Sequence, residues 1–245
     1  GQVAETARGL GGELSGDLAV GCFMVLSPFY LPRLLDQFTR RHPGVRVSLF
    51  EGELPALQAA LLDGRCELAL TYDIGFGPDF VTEPLAQISP CVALPPDHPL
   101  TGQESVRLAQ LAGEPLIMLD LPYSRSYFEG LFARAGVVPK IRFRTSGYET
   151  ARAMVGRGHG VALLDQRPAT TRTLDGGVTA LRPLADDVPP LSLVLARVKD
   201  VRPTRRAEVF AALARATVTE SGVVDDEVRA SPPGPGAARP RGQPM

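Results

Sequence analysis

Short apolar runs alternate with helix-spaced apolar residues from Asp17 onward, and this alternation restricts the fold more than any other feature of the chain. Residues 17–21 (DLAVG) form a short apolar strand. Leu31, Leu34, Leu35 and Phe38 recur at the spacing of one helix face, and the helix they predict ends near His42-Pro43-Gly44. Residues 45–50 alternate as a strand does. Leu54, Leu57 and Leu61 mark a second helix, stopped by Gly64, which suits a left-handed cap. Residues 67–71 are a third strand. A β-α-β-α-β order implies a parallel sheet with helices on its faces.

A second set follows. Residues 91–94 are a strand before a Pro-rich turn at 95–99, and 115–119 are another. Phe128, Leu131, Phe132 and Ala135 give a helix that stops at Gly136. Residues 140–144 are a strand, Tyr148, Ala151 and Val155 give a helix, and 160–164 are a strand. After a loop come a strand at 191–196 and a last helix over about 204–217, carrying Val209, Phe210 and Leu213. The result is two α/β lobes, each with little core of its own, which pack as a pair. Residues 1–12 are expected to be the remnant of a helix or linker. From 219 to the end a disordered tail is expected, because the stretch from Glu220 holds five Pro and four Gly and almost no aliphatic cluster.

Composition removes several function classes. Charged residues make up 22% and hydrophobic ones 44%, ordinary for a packed chain, and no apolar run approaches the roughly 18 residues of a membrane span. A net charge of −1 excludes a chain-wide basic footprint for nucleic acid. No basic start precedes an apolar stretch, so no export signal is expected, and the lack of a first Met leaves room for an upstream piece. Cys22, Cys66 and Cys91 form no C-x-x-C pair and no disulfide framework, which points to the cytoplasm and free thiols. Cys22, beside Phe23, Met24 and Val25, reads as a buried structural thiol.

Enzyme motifs are absent: no G-x-S-x-G, no G-x-x-x-x-G-K-[ST], no H-E-x-x-H and no G-x-G-x-x-G. The glycines of G-R-G-H-G at 156–160 lie between a helix and a strand, the reverse of a dinucleotide fingerprint, and read as a tight turn. His42, His98 and His159 sit far apart in predicted turns, so no metal site is expected. No acid–base pair stands out either, so neither an enzyme nor a cofactor is expected. The helix starts are more informative. Ser126 with Glu129, and Ser146 with Glu149, both read S-x-x-E, a capping box beyond a strand end. Residues 124–160 hold seven Lys or Arg against two Glu. Either a solvated basic face or a small anion in a cleft accounts for that excess.

Several segments in this order resemble the effector-binding domain of LysR-type transcriptional regulators over about 13–218: GELSGDLAVG, then GCFMVLSPFYLPRLLDQFTRRHPGVRVSL, LLDGRCELALTYD, LPPDHPL and RAMVGRGHGVALL. The resemblance implies two Rossmann-like lobes of the periplasmic-binding-protein type II kind, joined by two crossovers. Lobe I is then about 13–88 plus 189–218, and lobe II about 89–188. A small effector is expected between them. Phe23, Met24, Val25, Thr71 and Tyr72 line the site from lobe I. Ser124, Arg125, Ser146, Tyr148, Leu164 and Asp165 line it from lobe II, all at strand ends or helix starts. Members often place Ser or Thr after the first strand, where this chain has Phe23, Met24 and Val25, so a partly aromatic or aliphatic effector is expected. It is anionic if Arg125 grips a carboxylate through two hydrogen bonds. Members also carry an N-terminal winged helix-turn-helix, absent from this sequence, through which any DNA contact runs. Their regulatory domains pair as two-fold dimers through the first helix, here about 28–42, whose far face carries Arg33, Gln37 and Arg40. Two rivals share the architecture: a periplasmic solute-binding protein of an ABC transporter, and an enzyme built on the same lobes.

Overall fold

A computed structural model describes residues 14–122 and 124–229. The chain runs β1 (Gly16–Phe23), α1 (Ser27–Arg41), β2 (Val45–Gly52), α2 (Leu54–Leu62), β3 (Leu68–Tyr72), β4 (Phe80–Ile88) and β5 (Cys91–Leu94). It continues with β6 (Pro115–Leu119), α3 (Ser124–Arg134), β7 (Lys140–Thr145), α4 (Tyr148–Gly156) and β8 (Ala162–Leu164). It ends with β9 (Ala180–Pro183), β10 (Leu191–Val198) and α5 (Arg205–Arg229).

Lobe I is a five-stranded sheet in the order β2-β1-β3-β10-β4. β1 pairs parallel with β2 and β3, while β10 runs antiparallel to β3 and β4. β3 is buried at all five positions of LALTY, as its leading apolar run LAL foretells for a central strand. α1 buries Leu31, Leu34 and Phe38, the spacing read from the sequence. Phe38 meets Phe210 of α5 edge to face with ring centroids 5.2 Å apart. Each such aromatic contributes on the order of 2–3 kcal/mol through area removed from water. Gln37, expected on the outer face of α1, turns instead toward α5, where its side-chain oxygen accepts from the Thr217 hydroxyl at 3.1 Å.

In lobe II, β5 lies between β8 and β9, antiparallel to both, and β6 pairs parallel with β7. A parallel bridge from Leu116 to Val161 joins the two sheets. The glycines at 156–160 make that junction possible. Gly158 turns the chain with φ +78°, and Gly160 passes so close to β6 that a Cβ there would sit 2.2 Å from the Pro115 carbonyl oxygen. The chain passes from lobe I to lobe II between β4 and β5 and returns between β9 and β10. Two α/β lobes joined by two crossovers is the expected architecture.

Some local expectations fail. β4 and β9 are not apparent from periodicity. β4 is half-buried along most of its length and carries Pro84 at a register shift, the position an edge strand tolerates. α3 starts at Ser124, so Ser126 lies exposed in the first turn and caps nothing. α4 is capped by Gly147 with no side-chain bond. Glu149, the other half of that expected box, accepts instead from the Leu174 amide at 2.8 Å and pairs with Arg152 at 2.6 Å. α5 continues past 217 to Arg229, because the helix-breaking prolines begin only at Pro232. The expected linker remnant at 1–12 and the rest of the expected tail lie outside the described residues.

Candidate functional site

The lobes meet where β3 and β8 end. β3 delivers Tyr72, fully buried, and β8 is followed by Asp165 and Gln166, both buried. Gln166 ties the lobes together. Its amide nitrogen donates to the Tyr72 hydroxyl at 2.8 Å, and its side-chain oxygen accepts from the Tyr30 hydroxyl of α1 at 3.3 Å. Its backbone carbonyl accepts from the Tyr148 hydroxyl of α4 at 2.7 Å. Phe29 of α1 meets the Tyr148 ring edge to face at 5.3 Å, and the Tyr127 hydroxyl of α3 donates to the Pro189 carbonyl in the return crossover at 2.8 Å. Five aromatic rings and one amide thus line the junction, with each Tyr presenting an apolar body and a polar tip that hydrogen-bonds there.

Asp165 sits among them. It is 1% exposed, and neither carboxylate oxygen has a hydrogen-bond partner. Burial pushes its carboxyl up from the ordinary 3.8 to about 6. The Tyr72 hydroxyl and the Asp165 amide, neither in good hydrogen-bond geometry, offset only part of that rise. The phenols of Tyr72, Tyr127 and Tyr148 are all pushed up, chiefly by burial and further by the Asp165 charge. No Lys, Arg or His among the described residues forms an ion pair with Asp165.

Tyr72, Tyr148 and Asp165, all expected in the site, are therefore brought together. Phe23 lies against Tyr72 with ring centroids 5.8 Å apart and is itself fully buried. Val25 belongs to the main apolar core, which draws on both lobes, and Leu164 to a smaller cluster within lobe II. Thr71 is buried, its hydroxyl 3.5 Å from the Tyr72 carbonyl. Ser124 is buried at the first residue of α3. Met24 is 42% exposed and Ser146 is exposed. Arg125 reaches out of α3 to Asp120, which Arg144 also approaches at 3.6 Å. The basic excess at 124–160 is largely drawn to acids in the same way: Arg144 also to Glu129 at 3.7 Å, Arg152 to Glu149 at 2.6 Å, Arg157 to Asp175 at 2.7 Å. Phe29, Tyr30, Tyr127 and Gln166 went unread in the sequence. Gln166 directly follows Asp165, and Tyr30 lies one turn into the helix that follows β1, so both were one step from residues that strand-end placement selects.

Other chemistry is sparse. Cys22, Cys66 and Cys91 are free and buried, and burial pushes the Cys22 thiol up to about 12 and the Cys66 thiol up to about 11. Among the described residues no group of three or more His, Cys, Asp or Glu is placed to hold a metal ion, and no helix is long and apolar enough to cross a membrane. A groove of about 380 Å³ lies away from the junction, on lobe I, where Val81, Pro84 and Leu195 face Ala207 and Ala211 of α5.

The family model for the LysR substrate binding domain matches residues 11–219. The chain belongs to that LysR family. A hydrogen peroxide-inducible genes activator from Pectobacterium carotovorum is 31% identical over 161 residues, which cover 65% of this chain and 53% of that protein. The chain thus spans about half the length of the curated relatives it matches. Among solved structures, HinK, a LysR family transcriptional regulator from Pseudomonas aeruginosa, is 34% identical with a TM-score of 0.83, covering 89% of this chain and 74% of that one. The reduced OxyR regulatory domain from Pseudomonas aeruginosa is 25% identical with a TM-score of 0.72, covering 84% and 100%. LysR relatives carry names of regulators, not of transporters or enzymes, so the solute-binding alternative is not favoured.

Proposed function

We propose that this chain is the sensing half of a LysR-type transcriptional regulator. It takes a small metabolite between its lobes and passes the change in lobe geometry to a DNA-binding part that lies outside these 245 residues. The observation that carries the reading is the Gln166 network: one side chain of lobe II holds Tyr72 and Tyr30 of lobe I at the strand ends where two-lobed α/β proteins place ligands. A metabolite that enters there exchanges these bonds for its own, so binding and lobe position are one equilibrium. The sensing domains are proposed to pair as a two-fold dimer, with the exposed side of α1 at the interface.

Peroxide sensing, the role in the Pectobacterium relative's name, fits poorly. A thiol reacts with peroxide as its thiolate, and burial withholds the thiolate from Cys22 and Cys66. Non-covalent recognition is the better reading. A thermal-shift screen of small metabolites tests it, followed by calorimetric titration of the strongest stabiliser against the wild type, Gln166→Ala and Tyr148→Phe. A ligand present at a hundred times its Kd stabilises by about 2.7 kcal/mol, and both variants bind about tenfold or more weakly. Equal affinity in all three proteins overturns the site.

A further inference from the structure

Asp165 is a buried negative group to which the described residues supply no counter-charge. Neither oxygen has a partner in good hydrogen-bond geometry, and the two donors that lower its pKa, the Tyr72 hydroxyl and its own amide, leave at least two of an ionised carboxylate's about four acceptor positions unfilled. The nearby hydroxyls do not fill them. Tyr30 and Tyr148 give their protons to Gln166, and Tyr127 gives its proton to Pro189. The Tyr72 hydroxyl accepts from Gln166 and has one proton left, for at most one of those positions. Arg125, Arg144, Arg152 and Arg157 of lobe II are occupied elsewhere, on Asp120, Glu129, Glu149 and Asp175. Arg167, two residues further on, forms no ion pair with Asp165 among the described residues, and its Nη2 is buried with no hydrogen-bond partner. A buried carboxylate left in this condition is costly, and a chain keeps such a group where something else completes it.

We infer that the effector carries a cationic nitrogen, an ammonium or a guanidinium, and that Asp165 is the residue that grips it. The inference deepens the reading of the junction as the effector site and rests on it. The surroundings fit the charge. The hydroxyls of Tyr72, Tyr127 and Tyr148 all feel the Asp165 charge, and Phe29 abuts the Tyr148 ring from lobe I. Aromatic faces attract cations, most strongly where water is excluded, and a carboxylate set among them meets an N–H donor with a charge-assisted bond. An anionic ligand meets the opposite field at this point: a carboxylate brought beside Asp165 leaves two like charges in a dry site. The sign expected from the basic excess around Arg125 is therefore reversed at the junction itself. The ligand class is a small amine or amidine with an apolar or aromatic body.

The test uses the unaltered protein first. Phenethylammonium and benzamidinium are titrated against it by calorimetry, beside the neutral phenethyl alcohol and the anionic phenylacetate. The cations bind and the anion does not. In Asp165→Asn, which keeps the shape and removes the charge, the cations bind ~10–100-fold more weakly, the range that losing a charged hydrogen bond brings, and the neutral probe is unaffected. If phenylacetate binds as well as the cations, or if Asp165→Asn holds the cations as tightly as the wild type, the charge inference falls. Gln166→Ala then tells the two claims apart: if it still weakens whatever binds, the junction stands as the effector site without the cation. If the cations bind but neither variant weakens them, both claims fall. If no cation binds at millimolar concentration, the inference is overturned.

Discussion

Asp165 makes stability depend on pH in a direction opposite to that of a salt-bridged acid. Its carboxyl is held near 6 in the fold, above the ordinary 3.8, so between those values the native state binds a proton that the unfolded chain has released. The contribution is complete below about pH 4 and is lost as pH rises through 6. Two pKa units correspond to about 2–3 kcal/mol. Asp165→Asn removes this cost: its unfolding free energy at pH 8 is expected to exceed that of the wild type by about 1–3 kcal/mol. The fall in stability between pH 4 and pH 7 is expected to flatten. Urea unfolding across that range checks both, and a variant less stable than the wild type at pH 8 contradicts the account. Such a residue was half legible in the sequence. Its place after a strand marked Asp165 as a site residue, but nothing in one dimension shows that its carboxyl lacks a partner. The same limit applies to Arg125. The run of basic residues was plain, yet its pairing with Asp120 depends on a turn whose geometry the sequence does not state.

Among the elements, those with unmixed apolar patterns were readable. β1, β3, β5, β6 and α1 bury the faces their spacing marks. β4 and β9 were not, because an edge strand buried on one side carries a mixed pattern, and Pro84 breaks it further. The two S-x-x-E signals misled because a helix can start one or two residues away from a capping sequence at no great cost. The G-R-G-H-G turn was readable as a turn, but its second duty appears only in three dimensions. Gly160 lets the segment before β8 lie against β6, where the Val161 amide donates to Pro115 at 2.9 Å and Ile117 donates to Val161 at 2.8 Å. Gly160→Ala drives a methyl group into the Pro115 carbonyl at a φ of +151°. A loss of about 2–4 kcal/mol is expected, the scale of a substitution that disturbs a packed backbone contact. Gly113→Ala meets open space and shifts stability by roughly 0.5 kcal/mol or less. Denaturant midpoints of the two variants check this, and similar midpoints contradict it.

For the whole molecule, the lobes have separate sheets but share one continuous apolar core, and at the strand ends they are joined by the Gln166 polar network. Removing residues 230–245, a Pro- and Gly-rich segment, is expected to move the melting temperature by ~1 °C or less, and a drop of many degrees means that the segment docks on the body. Sedimentation at micromolar concentration is expected to give twice 26.1 kDa, and a single species of 26.1 kDa contradicts the proposed pairing. The order of strands and helices in the sequence was enough to indicate two α/β lobes, because β-α-β units form sheets covered by helices. It did not reveal the polar network, because Gln166 acts through partners from three distant segments. Hydrogen–deuterium exchange with and without a stabilising ligand tests the central claim most directly. Saturation is expected to slow exchange together at the ends of β3 and β8 and in the first turns of α1 and α4, on both sides of the junction. Protection confined to the groove between α5 and β4, with the junction amides unchanged, would contradict the account.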